Sequence, residues 1–290
     1  MKYLGVIGHP LNQSLSPALQ QAALDHLRLD IRYEAWPTPR DGLKTRIIGL
    51  RGESVLGANV TIPHKQSVIP FLDELDEAAL KVGAVNTIVN RERRLFGYNT
   101  DVEGFLSALR QDGGCHPEGA RAVIAGAGGA ARAIAVALTQ ARAESITIVN
   151  RTLARANKLV ESLRSLANES RIDSLPEMYA SWMAVLPACD LLINCTSVGS
   201  AESPDEQESP VPVDLIRSTT LVFDLTYRPA ETALLKAARE RGARVLGGLP
   251  MLVYQGAASF KIWTGQDAPL DIMLEAASRA LSAAPAERGA

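Results

Sequence analysis

The chain has 290 residues, 47% hydrophobic and 21% charged, with 30 Lys and Arg against 32 Asp and Glu for a formal net charge of −2. That composition suits a globular protein with a sizeable core in one large or two ordinary domains. The near-neutral balance and scattered arginines leave no basic field for nucleic acid. The 3 cysteines, Cys115, Cys189 and Cys195, have no metal-like spacing, so no metal is expected. They suit reduced thiols, hence a cytoplasmic protein in which the sequons at Asn59, Asn168 and Asn194 stay unmodified.

The opening apolar run from Tyr3 to Gly8 is too short for a secretory or membrane-spanning segment and reads as a strand. A helix follows, opened by Ser16 as N-cap with Pro17 at its first position. "IRYEAW", "GANVTI", "AVNTIVN" and "RLFGY" read as strands, and "FLDELDEAALKVG" as a helix stopped by Gly83. This alternation predicts a mostly parallel α/β sheet.

A second unit starts at the helical "VEGFLSALRQ", then runs through the strand "RAVIA", the helical "GAGGAARAIAVALTQ", the strand "SITIVN" and the helical "LARANKLVESLRSL". "DLLINCT" and "LVFDLTY" read as buried strands, and "AETALLKAARERG" as a helix closed by Gly242. "SAESPDEQESPVP" and the terminal "APAERGA" look solvated. The helix "PMLVYQGAASFKIWTG" is apolar on most faces and is expected to pack back on the first domain. The expected layout is therefore a discontinuous substrate domain, 1–103 with 247–290, and a Rossmann-like nucleotide domain, 104–246.

Gly126, Ala127, Gly128, Gly129 and Ala130 follow a predicted strand and open a predicted helix. Small residues there let the backbone approach a pyrophosphate at the positive end of the helix, although a tight strand-to-helix turn would use the same residues. After the next strand comes Asn150-Arg151-Thr152, with no acid to hold a ribose 2′-hydroxyl. Arg151 and Arg155 instead offer guanidinium groups to a 2′-phosphate, with Thr152 beside them, so NADP(H) is expected over NAD. The plainer reading is a helix cap and two surface arginines.

Asn59, Thr61, Lys65, Asn86, Thr100 and Asp101 all fall at ends of predicted strands or just beyond, where α/β sheets bind ligands. Singly, each has a dull reading: Lys65 a solvated lysine, Thr100-x-x-Glu103 a capping box.

Taken in order, "SLSP" (14–17), "NVTIPHK" (59–65), "GAVNT" (83–87), "NTD" (99–101), "GAGGAAR" (126–132), "NRT" (150–152), "NCTSVG" (194–199) and "GLPMLVYQ" (248–255) closely resemble the shikimate dehydrogenase family over nearly the whole chain. The resemblance implies NADPH-dependent, reversible reduction of 3-dehydroshikimate to shikimate, on the route to aromatic amino acids, by a monomer or homodimer acting on small molecules. It implies that Lys65 and Asp101 are the catalytic pair. Ser14, Ser16, Thr61, Asn86, Tyr227 and Gln255 would hold the substrate, and Gly248 would join the cofactor site. The chain departs from the family's usual pattern at Val102, where glycine is common, and at Gln13, Gln20 and Gly247. Two alternatives stay open: a quinate/shikimate dehydrogenase accepting NAD, and a non-catalytic NADP or metabolite sensor.

Overall fold

The computed structural model describes residues 1–166, 170–201 and 203–283; Asn168 and the terminal stretch 284–290 lie outside them. The chain forms two compact units, one of Met1–Gly104 with the chain from Leu252 onward, the other of Phe105–Met251. Each carries a six-stranded sheet.

In the first unit, β1 (Lys2–Gly8) buries its last five residues, as a central strand covered on both faces must. α1 (Ser16–His26), β2 (Ile31–Pro37), α2 (Leu43–Gly49) and β3 (Gly57–Val60) follow. β2 and β3 both pair parallel with β1, on opposite sides. The chain thus reverses its direction of travel across the sheet at β1, which opens a crevice beyond the strands' carboxyl ends. β5 (Thr87–Arg91) runs antiparallel to β3, and β6 (Arg94–Tyr98) antiparallel to β5, with the short β4 (Glu74–Leu75) at the edge. The start of β5 and the end of β6 therefore share that same sheet end. Ile7, Ala58, Val60, Ile88 and Leu95 form a core with Leu43 and Ile47 of α2. α10 (Leu270–Ser282) lies against α1. α9 (Leu249–Thr264) is tied down where Trp263 Nε1 donates to the Ile88 carbonyl at 2.9 Å.

Three local expectations are corrected here. The helix expected over 71–83 is only α3 (Glu77–Val82), capped by Asp76 and closed by Gly83 at φ 65°. Upstream, Asp73 exchanges backbone and side-chain hydrogen bonds with Leu95 of β6, and this long-range pairing overrides the local helical pattern. Ser16 is the first helical residue rather than the cap; Leu15 holds the cap position, and Ser14 Oγ accepts from the Ser16 N–H at 3.4 Å. The strand expected over 84–90 begins only at Thr87.

The second unit contains most of α4 (Asp101–Gln111), then β7 (Arg121–Ala125), α5 (Gly129–Gln140), β8 (Ser145–Asn150), α6 (Leu153–Leu163), β9 (Arg171–Pro176) and α7 (Tyr179–Val185). β10 (Leu191–Asn194), β11 (Leu221–Asp224), α8 (Ala233–Glu240) and β12 (Arg244–Leu246) complete it. Its strands pair in parallel in the order β12-β11-β10-β7-β8-β9. This is the strand order of the Rossmann fold, with the switch point between β7 and β10. The acidic stretch over 200–212 is solvated only in part, because Pro210 and Val211 are buried, the latter in the core with Trp182, Leu186 and Val222. Among the described residues no helix is long and apolar enough to cross a membrane.

Candidate active site and dinucleotide site

Lys65 stands in the loop after β3, and Asp101 is the first residue of α4. Their side chains meet with Nζ 2.5 Å from Oδ2, the lysine 18% and the aspartate 6% exposed. An acid in a helix's first turn complements the dipole, and the Asp101 N–H is satisfied by Asn99 Oδ1 at 3.1 Å. Asn86 holds the second carboxylate oxygen: its Nδ2 lies 3.0 Å from Asp101 Oδ1, 2.8 Å from Thr100 Oγ1 and 3.2 Å from Gln255 Oε1. Each Asp101 oxygen thus has its own donor, so the carboxylate is held in one orientation against the ammonium.

Thr100 is not the cap of a capping box. Its hydroxyl accepts from Asn86, donates to the Gln255 carbonyl at 3.0 Å and lies 3.1 Å from Ser259 Oγ. Thr61 lies between β3 and Lys65, its N–H donating to the Ile7 carbonyl at 2.8 Å. Ser14 and Ser16 stand half-buried on and just beyond the loop after the adjacent β1. The structure therefore brings Lys65, Asp101, Asn86 and Gln255 into one hydrogen-bonded cluster, with Thr61 and the two serines at the same sheet end. Tyr227 belongs to the other unit, in the loop after β11.

Beneath Asn86 lies a floor that motif reading largely missed. Asn59 Nδ2 donates to the Asn86 carbonyl at 3.1 Å and reaches Thr87 and Ser259, while its Oδ1 accepts from the Tyr33 hydroxyl at 2.7 Å. Burial pushes the Tyr33 phenol well above its ordinary value. Ser259 sits one turn beyond Gln255 on α9 and donates to its carbonyl at 2.9 Å. The single serine in a helix that is apolar on most faces was the available signal for it. With its carboxamide enclosed on every side, Asn59 is no glycan acceptor in the folded chain.

In the second unit, Gly126 adopts φ 104°, and a Cβ there would lie 3.2 Å from the Cys195 backbone carbonyl. Only glycine lets the turns after β7 and β10 approach so closely at the switch point. A Cβ at Gly128 would meet nothing within 4 Å. Gly128 lies just before α5 and is exposed, leaving open space at the free N–H groups of the helix. After β8, Asn150 Nδ2 donates to the Thr152 carbonyl at 2.8 Å, and Arg151, Thr152 and Arg155 are exposed. Thr152 occupies the cap position of α6 without a side-chain capping bond. An open helix terminus, no acid after β8 and two exposed guanidiniums fit a dinucleotide with a 2′-phosphate.

Gly248 has a separate structural reason, since a Cβ there would lie 2.1 Å from the Leu225 carbonyl oxygen. Asp224, at the end of β11, is fully buried and accepts from Asn194, Thr226 and Thr232. Burial raises its carboxyl above the ordinary range against those hydrogen bonds.

The Rossmann-type sheet with its glycine turn, joined in one chain to an α/β unit bearing a buried Lys–Asp pair, defines the two-unit, dinucleotide-dependent oxidoreductases. Three family models match along the chain. Residues 6–88 match the shikimate dehydrogenase substrate binding domain, 109–227 the shikimate / quinate 5-dehydrogenase model and 248–277 the shikimate 5′-dehydrogenase C-terminal domain. A shikimate dehydrogenase (NADP(+)) of Moorella thermoacetica is 43% identical, with 98% of this chain aligned to 96% of that protein. The crystal structure of shikimate 5-dehydrogenase from Thermus thermophilus in complex with NADP(H) and shikimate superposes with a TM-score of 0.86 at 40% identity, covering 97% of this chain and 100% of that one. A quinate dehydrogenase from Corynebacterium glutamicum in complex with NAD gives the same TM-score of 0.86 at 30% identity, over 95% and 98% of the two chains. The chain belongs to the shikimate dehydrogenase family.

Proposed function

We propose that the protein catalyses the reversible, NADPH-dependent reduction of 3-dehydroshikimate to shikimate. The observation that carries this reading is the Lys65–Asp101 contact at 2.5 Å, locked by Asn86 beside Gln255. NADPH supplies the hydride that reduces the ring ketone. The resulting alkoxide needs a proton, and the Lys65 ammonium donates it from close range, while Asp101 orients the ammonium and stabilises its charge. In the oxidative direction the neutral Lys65 amine accepts the proton of the alcohol. Thr61, Asn86 and Gln255 bind substrate hydroxyls, and Ser14, Ser16 and Tyr227 its carboxylate.

Gly126, Ala127, Gly128, Gly129 and Ala130 hold the cofactor's pyrophosphate at the start of α5. Asn150, Arg151, Thr152 and Arg155 hold its 2′-phosphate, and Gly248 admits the backbone approach after β12. The M. thermoacetica and T. thermophilus relatives, named for NADP and shikimate, support this choice. The reduced thiols of Cys115, Cys189 and Cys195 accord with a cytoplasmic enzyme. Assaying shikimate and quinate with NADP and NAD tests the reading. Shikimate with NADP is expected to have the highest kcat/KM, and faster turnover of quinate with NAD would overturn it.

A further inference from the structure

The residue just before Lys65 takes no part in the hydrogen-bonded cluster of Lys65, Asp101, Asn86 and Gln255. His64 is 1% exposed, and its Nε2 lies 2.6 Å from the Thr38 carbonyl oxygen. A carbonyl can only accept, so Nε2 carries the proton. Nδ1 is then a buried acceptor with no protein partner. A buried polar atom left unpartnered is unfavourable, and an apolar side chain of similar size would avoid it. The hydrogen bond made by the other ring nitrogen is what a histidine adds at this position.

Thr38 is a firm anchor. Its N–H donates to the Gly8 carbonyl at 2.9 Å, its hydroxyl donates to the Trp36 carbonyl at 2.8 Å, and the same hydroxyl accepts from Arg46 Nε at 3.3 Å. The exits of β1 and β2 are thereby joined to α2 at one residue. On the other side of the loop, the Lys65 carbonyl accepts from the Val85 N–H at 2.7 Å. His64 and Lys65 thus pin one turn of chain from opposite sides; without the imidazole the turn keeps the Val85 bond, the His64 N–H to the Thr61 carbonyl at 2.9 Å and the Val68 N–H to the His64 carbonyl at 3.0 Å, but loses its tie to Thr38.

We propose that His64 is a positioning residue for Lys65: its Nε2–H bond to Thr38 fixes the backbone from which the lysine reaches Asp101. This rests on Lys65 being the proton donor. The full-length chain is compared with His64→Leu, which removes the donor, and His64→Gln, whose amide restores a donor near the position of Nε2. His64→Asn, too short to reach Thr38, stands in for the leucine variant if that one does not fold. Acetylation of Lys65 relative to the exposed Lys44, followed by mass spectrometry, reports on the position of the lysine whatever the reaction. Lys65 labelling is expected to rise several-fold in His64→Leu and to return to the wild-type rate in His64→Gln. Shikimate oxidation by NADP is expected to show kcat lowered ~10-fold in His64→Leu at unchanged shikimate KM, with most of the loss restored in His64→Gln. Equal Lys65 labelling in all three proteins, or wild-type kcat in His64→Leu, overturns the proposal. The expected labelling pattern in a protein that does not oxidise shikimate overturns the proposed reaction and leaves the positioning role standing.

Discussion

The Lys65 ammonium and the Asp101 carboxylate are 36 positions apart in the chain and 2.5 Å apart in space. If the lysine delivers the proton, Lys65→Met is expected to lower kcat by roughly 10² to 10⁴ with little change in shikimate KM; steady-state kinetics with saturating NADP tests this, and wild-type kcat would refute the donor role. Arg151→Ala is expected to weaken NADPH far more than NADH, which fluorescence titration with each nucleotide measures; equal weakening would remove Arg151 from the 2′-phosphate. Lys65 and Asp101 were legible only as members of ordered motifs, because a single lysine in a sequence looks like any solvated cation, whereas Arg151 was legible from its place after the second strand of its unit. The supporting residues were less legible still. Tyr33 and Ser259 act through buried hydrogen bonds to partners far away in the chain, and no local pattern marks such a bond. Val102, where glycine is usual, lies inside α4 and is buried at 7% exposure, so its backbone needs no special freedom.

Among the elements, the region from Phe71 to Gly83 shows how long-range pairing defeats local periodicity. Apolar spacing there predicted one helix, yet Asp73 and Asp76 bond by their backbones to β6, and only the last six residues before Gly83 wind into α3. The Arg51 guanidinium, then the Leu95 N–H, hold the Asp73 carboxyl below its ordinary range. A carboxyl lowered on folding contributes stability above its unfolded value of ~3.9 and loses that contribution as pH falls through the lower folded value. Asp73→Asn is therefore expected to be less stable than wild type at pH 7, with the gap closing below about pH 4; urea midpoints at the two pH values measure it. The effect is small, since the Arg51–Asp73 pair is about a third exposed and screened by water. At the other end of the chain, Gly248→Ala is expected to lower the melting temperature by several degrees. Its Cβ would fall 2.1 Å from a backbone oxygen that cannot swing aside.

For the whole molecule, alternating strands and helices made both sheets foreseeable, and the glycine turn marked which one carries the Rossmann order. The order of strands within the first sheet was not foreseeable, because antiparallel β5 and β6 follow from pairing partners rather than from any pattern within them. A ligand that binds only the folded chain stabilises it by mass action, about 2.7 kcal/mol at a hundredfold excess over Kd. NADPH is accordingly expected to raise the melting temperature of wild type and of Lys65→Met alike, and of Arg151→Ala much less at the same concentration. Scanning fluorimetry checks this, and an equal shift in Arg151→Ala would argue against the assigned phosphate site.

The discontinuity of the first unit has a consequence in time. Thr100 leaves the ribosome 155 residues ahead of Gln255, whose carbonyl it must meet. At ~5–20 residues per second, that is a wait of about 8–30 s during which the whole of Phe105–Met251 is synthesised. Through that interval the Lys65–Asp101 pair can form, but Asn86 and Thr100 lack the partners that α9 will bring. The nascent chain thus completes its second unit before its first. A chain released between α4 and α9 carries both members of the pair without the Gln255 and Ser259 contacts around Asn86 and Thr100, and synthesis through Ser259 completes that hydrogen-bonded cluster.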